Sequence, residues 1–124
     1  MNITEIAFTC YPATDLAASR AFYENLIGLK PTQVHPMGED GGWVEYEIGP
    51  HCFSIGKTDG WQPNPQGPSC GLEVEDFDKT VEELRAANVT ITMGPMETPV
   101  CNMLMVLDPA GNTLIIHKRK PGHH

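Results

Sequence analysis

Two ionisable side chains stand at the ends of strand-like segments in the second half of this chain. They are Glu73 in SCGLEV (69–74) and His117 in TLIIH (113–117). A carboxylate held among apolar neighbours loses hydration, so its pKa rises towards the working range of a general base. The same carboxylate also suits a cationic ligand group. Histidine titrates near neutrality and serves as a proton shuttle or a hydrogen-bond partner for a ligand. Each position fits a solvated strand end as well, with Glu73 pointing to water and His117 running into Lys118-Arg119-Lys120. His35, Glu39 and His51 would make a metal-ligating set if the chain between them brought them together. Cys10, Cys52, Cys70 and Cys101 are widely spaced, with no CxxC pair among them. All four lie in strand-like segments. The expectation is reduced thiols serving as small, mostly buried apolar residues, with a zinc site or a reactive thiol as the alternatives.

The elements that must position these groups come in two similar sets. Ile3 to Tyr11 reads as a strand, Pro12 ends it, and Asp15 stands where a helix N-cap belongs, before DLAASRAFYENLIGL (15–29). A carboxylate there accepts hydrogen bonds from the free N–H groups of the first turn. Leu16, Tyr23, Leu26 and Ile27 hold one helical face, Arg20 and Glu24 are spaced to pair on the wet side, and Gly28 is a stop. Residues 30–34 read as a second strand and 35–42 as a loop. Val44, Tyr46 and Ile48 alternate with Trp43, Glu45 and Glu47 in a half-buried third strand, and His51 to Lys57 returns as a fourth. TDGWQPNPQGP (58–68) is a linker by its Gly and Pro content. The second set runs from a strand at 69–74 through Asp76, a second N-cap, into a helix at 77–87. There Phe77, Val81, Leu84 and Asn88 mark one face. Strands at 89–93, 102–107 and 113–117 follow, the last two joined by a DPAGN turn. The repeat of layout points to a duplicated module with a cleft between its halves. A plain α+β sandwich is the alternative.

The chain has 124 residues, 40% of them apolar, which suits one domain with a real core. No run approaches the ~18 apolar residues that span a bilayer, and MNITEIAF has no secretion signal, so a cytoplasmic protein is expected. The formal charge of −8 repels phosphate, which points away from nucleic acid and anionic membranes and towards a neutral or cationic small ligand. Gly122-His123-His124 has the composition of a purification-tag remnant and is set aside.

With these segments in view, the chain resembles the vicinal oxygen chelate superfamily, which includes glyoxalase I, bleomycin-resistance proteins and extradiol dioxygenases. The resemblance rests on TDLAASRAFYENLIGLK (14–30), VEDFDKTVEELRAANV (74–89) and LDPAGNTLII (107–116), in that order. It implies an α+β fold of two βαβββ modules forming a cleft-shaped, barrel-like mixed sheet (the glyoxalase/bleomycin-resistance fold). The expected organisation is one domain with module one at about 1–57, the linker at 58–68 and module two at 69–120. A homodimer is expected from the same resemblance. Metal-dependent members carry His, Gln or Glu on the first and last strand of each module. Those ligands hold a divalent ion that acts as a Lewis acid on substrate oxygens.

Counted from the shared motifs, the four ligand positions fall at Phe8, Ile55 (Gly56 on a one-residue shift), Ser69 and Ile115. These side chains do not make such a centre, so no cofactor is expected, although a divalent metal held by ligands outside this set remains an alternative. Strand alternation then predicts an apolar cleft face of Phe8, Phe53, Ile55, Ser69 and Ile115, with Glu73 and His117 as its ionisable groups. Trp43 and Trp61 are candidates to close over a flat ligand, and Met93, Met96, Met103 and Met105 suit either packing or an adaptable surface. The leading expectation is a metal-independent small-molecule binder of the drug-sequestering or sensing type. The alternatives are a lyase, isomerase or dioxygenase of the same superfamily, metal-free with Glu73 as base and His117 assisting, or an interaction module whose cleft is filled.

Overall fold

A computed structural model describes residues 1–122; His123 and His124, part of the tail set aside above, lie outside the described residues. The chain divides into two compact units, Met1–Pro63 and Asn64–His124, and the boundary falls inside the Gly/Pro-rich stretch 58–68. In the first unit, β1 (Thr9–Pro12) leads into α1 (Leu16–Arg20) and a π-helical continuation (Ala21–Leu26). β2 (Pro31–Met37), β3 (Gly41–Ile48) and β4 (His51–Lys57) follow. The sheet order is β1-β4-β3-β2, with β1 parallel to β4 and the other pairs antiparallel. The second unit repeats this as β5 (Cys70–Glu73), α2 (Phe77–Ala86), β6 (Ile91–Glu97), β7 (Cys101–Leu107) and β8 (Thr113–Arg119), in the order β5-β8-β7-β6. Each unit is thus a βαβββ module. Among the described residues, no helix is long and apolar enough to cross a membrane.

Both N-caps form as the spacing requires. The Asp15 carboxylate accepts from the Ala18 N–H, and the Asp76 carboxylate from the Lys79 N–H, each at 3.1 Å. The helices then diverge. The first widens after Arg20, so that the Ile27 N–H reaches the Phe22 carbonyl five residues back at 2.9 Å. It ends at Gly28, whose φ of +91° costs a residue without a Cβ little. The second stays α-helical and ends at Asn88, which adopts φ +58° and is exposed, so it terminates the helix and does not extend the apolar face.

Each sheet buries one face under its helix. In the first unit Val44, Tyr46, Phe53 and Ile55 pack with Tyr11, Phe22 and Tyr23. Tyr23 and Phe53 rings stand 5.1 Å apart and Tyr11 and Phe53 rings 5.5 Å apart. In the second, Leu104, Val106, Leu114 and Ile116 form the buried face, with Val81 and Leu84 from α2. The Arg20–Glu24 pair forms at 2.6 Å, and it is half-buried, because the Tyr46 hydroxyl also donates to Glu24 at 2.8 Å.

Several boundaries differ from the sequence reading. β1 is confined to Thr9–Pro12, the residues that find rungs opposite Phe53 to Gly56, and Met1 to Phe8 are exposed. β2 runs through the expected loop, with His35 to Met37 laddered against Trp43 to Gly41. Pro36 is tolerated because β2 is an edge strand. β6 likewise starts later and ends later than 89–93. All four cysteines lie on strands as free thiols, but only Cys101 is buried and the other three are half-buried.

Candidate functional site

The face of each sheet opposite the helix carries a different set of side chains from the helix-packed core. Ladder partners share a side, which fixes its composition. In the first unit Cys10, Ser54 and Glu45 form one row of this face, and Pro12, Gly56 and Trp43 the next. Phe8, 53% exposed, meets Trp43 edge-on with ring centroids 5.6 Å apart. Trp61, from the stretch after β4, stacks on Trp43 at 6.4 Å and 16° between planes. Both indoles lie over Gly56: a Cβ there would stand 2.9 Å from Trp43 Cε3 and 3.2 Å from Trp61 Cζ3. The glycine is what lets the rings come down on the sheet. The Trp43 indole N–H donates to Glu45 at 3.0 Å, which fixes the ring's orientation.

In the second unit the corresponding rows are Gly71, Ile115, Met105 and Met93, then Glu73, His117, Met103 and Met96. Pro12 and Glu73 each stand three residues before an N-cap aspartate, so Pro12/Gly56 and Glu73/His117 are equivalent rungs. His117 Nδ1 and Glu73 Oε1 are 2.6 Å apart. The other Glu73 oxygen accepts the Arg119 backbone N–H at 2.8 Å, and the Arg119 guanidinium stands 3.9 Å away. Partial burial would raise the Glu73 pKa, but the hydrogen bonds from Arg119 and His117, with their charges, outweigh it and hold the carboxyl below its ordinary value. The expectation of a Glu73 raised by desolvation is therefore corrected. Its side chain is 31% exposed, and Phe8 and Phe53, expected around it, belong to the first unit.

Phe53 and Ile55 need a second correction. They are 3% and 1% exposed and lie on the helix-facing side of β4, with Tyr46 and Val44 as their ladder partners. They are core residues and do not share a face with Phe8. The opposite face of β4 carries Cys52, Ser54 and Gly56 instead, the last two buried. A readable signal was present in HCFSIGK (51–57), where large apolar residues alternate with small ones and the large set goes to the core. Of the other expected residues, Ile115 is half-buried on the open face of the second unit, and Ser69 is exposed just before β5. His35 and His51 do not meet: His35 pairs with Trp43 and His51 with Ile48, at opposite ends of β3. Burial pushes the Cys10 thiol up to about 11, against an opposing hydrogen bond with Ser54, and raises Cys52 and Cys70 as well, so none of these three is an activated thiolate.

The family model described as Glyoxalase/Bleomycin resistance protein/Dioxygenase superfamily matches residues 5–116. The chain belongs to this superfamily. Among solved structures, it is similar to TnmS3, an antibiotic binding protein from Streptomyces sp. CB03234. That likeness has 23% identity and a TM-score of 0.74, over 97% of this chain and 99% of that one. The trypanothione-dependent glyoxalase I of Leishmania major shares 22% identity at a TM-score of 0.75, over 94% and 87% of the two chains. The fosfomycin resistance protein FosX from Listeria monocytogenes shares 13% at 0.75, over 97% of each. At these identities the likeness is one of fold. No curated protein matches the chain.

At the positions counted from the shared motifs the side-chain donors are sparse. Phe8, Ile115 and either Ile55 or Gly56 have no donor atom on their side chains, and Ser69 has only a hydroxyl. Among the described residues no three His, Cys, Asp or Glu side chains group so as to hold a metal ion. The residues at the family's positions do not fit a divalent centre, and no chemical step is derived through one.

Proposed function

We propose that this superfamily member binds a small, flat, largely apolar molecule, as a sequestering or sensing protein, without the divalent centre of its metal-dependent relatives. The observation that carries this reading is the Phe8–Trp43–Trp61 cluster over Gly56. It is an aromatic platform on an open sheet face, flanked by the Glu45 carboxylate that orients Trp43. Apolar walls with one or two placed polar groups are the usual makeup of a small-molecule site. The antibiotic-binding role given for TnmS3, on the same fold, is consistent with it. The test is tryptophan fluorescence and calorimetry with bleomycin and with the flat dye 8-anilinonaphthalene-1-sulfonate. Saturable quenching is expected, and Trp61→Ala weakens binding by about two- to tenfold, the range for an aromatic contact of about 0.5–1.5 kcal/mol. Saturable binding that ignores both Trp43→Ala and Trp61→Ala overturns the platform; no saturable binding of either probe overturns the function.

A second reading, a metal-free lyase or isomerase, is supported by the 2.6 Å Glu73–His117 pair. With Glu73 held in its charged form, the roles exchange from those expected. Glu73 orients the imidazole and His117 Nε2 is the base. Turnover of the methylglyoxal–glutathione hemithioacetal that is lost in His117→Asn and kept in metal-free protein would establish it.

A further inference from the structure

The second unit carries thioether donors that neither reading uses. Met93, Met96, Met103 and Met105 stand in register on the same side of its sheet as His117. Their convergence is imposed by a defect in β6. Met93 and Met96 are three residues apart, so plain alternation sends them to opposite sides of the sheet. The ladder shifts register between them, at Gly94-Pro95, so that Met93 faces Met105 and Met96 faces Met103. Gly94 makes this possible: it adopts φ +88°, and a Cβ there would lie 2.9 Å from the Met103 carbonyl oxygen. Bulges commonly re-aim a side chain in this way. The row Met96–Met103–His117 then crosses three adjacent strands, ending against Glu73 on a fourth. Directly opposite residues on antiparallel strands have Cα atoms about 4.5–5.5 Å apart, within reach of flexible thioether arms.

These methionines are not filling the unit's core. That face belongs to Leu104, Val106, Leu114 and Ile116, whereas Met93 and Met96 are 48% and 38% exposed. The histidine is prepared for coordination. Its Nδ1 stands 2.6 Å from a Glu73 carboxylate oxygen, which leaves Nε2 as the ring nitrogen not engaged by Glu73. A carboxylate behind the ring is the usual outer partner of a metal-bound histidine, and it raises the basicity of the ligating nitrogen. Glu73 is itself fixed by the Arg119 N–H. Neutral thioethers hold hard or borderline divalent ions poorly and soft monovalent ions well.

We propose that Met96, Met103 and His117, with Met105 beside them, form a site for a soft monovalent cation, Cu(I) or Ag(I). Glu73 orients the imidazole and supplies the neutralising charge. The site is built from second-unit residues alone, whereas the aromatic platform is built from first-unit residues.

The experiment uses the full chain carrying 13C-methyl methionine, titrated with Ag(I) and followed by NMR, with anaerobic Cu(I) titration against bicinchoninate as the affinity measurement. The first equivalent of Ag(I) should move the Met96 and Met103 methyl signals and leave Met37, in the first unit, in place. Met96→Leu/Met103→Leu keeps the apolar volume and should weaken Cu(I) binding at least tenfold. Glu73→Gln should weaken Cu(I) less than His117→Asn does. Metal uptake that leaves the methionine methyl signals unmoved assigns the ion to cysteines or tail histidines and overturns the proposal. Equal Cu(I) affinity in the double leucine variant does the same.

Discussion

The two units share a backbone plan and differ in what they place on it. At equivalent rungs the first unit has Pro12 and Gly56 and the second has Glu73 and His117. In the first, the missing side chain at Gly56 is filled by two indoles lying on the sheet. In the second, the same space holds a hydrogen-bonded carboxylate and imidazole beside a row of thioethers. The helix-facing sides are far more alike: both are apolar, and both are closed by one helix capped by an aspartate. The shared layout keeps an apolar buried face in both units, which folding requires, and leaves the opposite face free to differ in chemistry.

The sharpest way to break this division is to truncate one residue from each kind of face. Phe53→Ala removes a fully buried ring and should cost about 3–5 kcal/mol in urea unfolding. Ile115→Ala, on the half-buried open face, should cost less than about half as much. If Phe53→Ala left stability intact and removed ligand binding, the face assignment would be reversed. Next in size is Gly56→Val. Its side chain meets Trp43 and Trp61, so the indole stack should open, with loss of the near-ultraviolet circular dichroism of the pair and a severalfold weaker hold on a flat dye. A valine that left the spectrum unchanged would show that the stack does not depend on the glycine.

The caps test the similarity directly. Asp15→Ala and Asp76→Ala should each lower stability by about 1 kcal/mol, measured as a shift in the urea midpoint; a much larger loss at Asp15 would mean that the π-helical continuation depends on its cap. The smallest effect is on acid stability. Partial burial opposes ionisation at Glu24, but its hydrogen bonds from Arg20 and Tyr46 prevail, and the folded pKa lies below the ordinary 4.5, as it does at Glu73. A carboxylate lowered on folding stabilises above its unfolded pKa, and this contribution is lost as pH falls through the folded value. Stability should therefore fall on acidification below about 4.5 in wild type. In Tyr46→Phe, which loses one donor to Glu24, the folded pKa moves back towards the unfolded one, so the acid-dependent loss should be smaller and complete at higher pH. Identical acid limbs in the two proteins would remove Tyr46 from this account.

Much of the fold was legible because its signals are local. The two N-cap aspartates, the Gly28 stop, the alternation from Trp43 to Ile48 and the turn at 108–112 all formed where their residues required. The strand ends were less legible. A strand exists only where a partner offers rungs, so β1 shrank to the residues opposite Phe53 to Gly56 and β2 grew through an apparent loop. The candidate site was half legible. Glu73 and His117 were singled out as ionisable groups, but their meeting at 2.6 Å was not legible, and the Glu73 pKa moves the other way, because its partners, Arg119 above all, come from a strand distant in sequence.

The two-module layout and the capped helices were written in local sequence. Those properties follow from residue identity and from periods of two and 3.6 that any short segment displays. Only the tertiary structure decided which face of β4 is core, that Gly56 admits two stacked indoles, and that a register shift at Gly94-Pro95 brings Met93 and Met96 to one side. Alternation divides a strand into two sets without naming which set is buried. That choice is made by the helix packed against the sheet and by the register of neighbouring strands, neither of which is a local property of the chain.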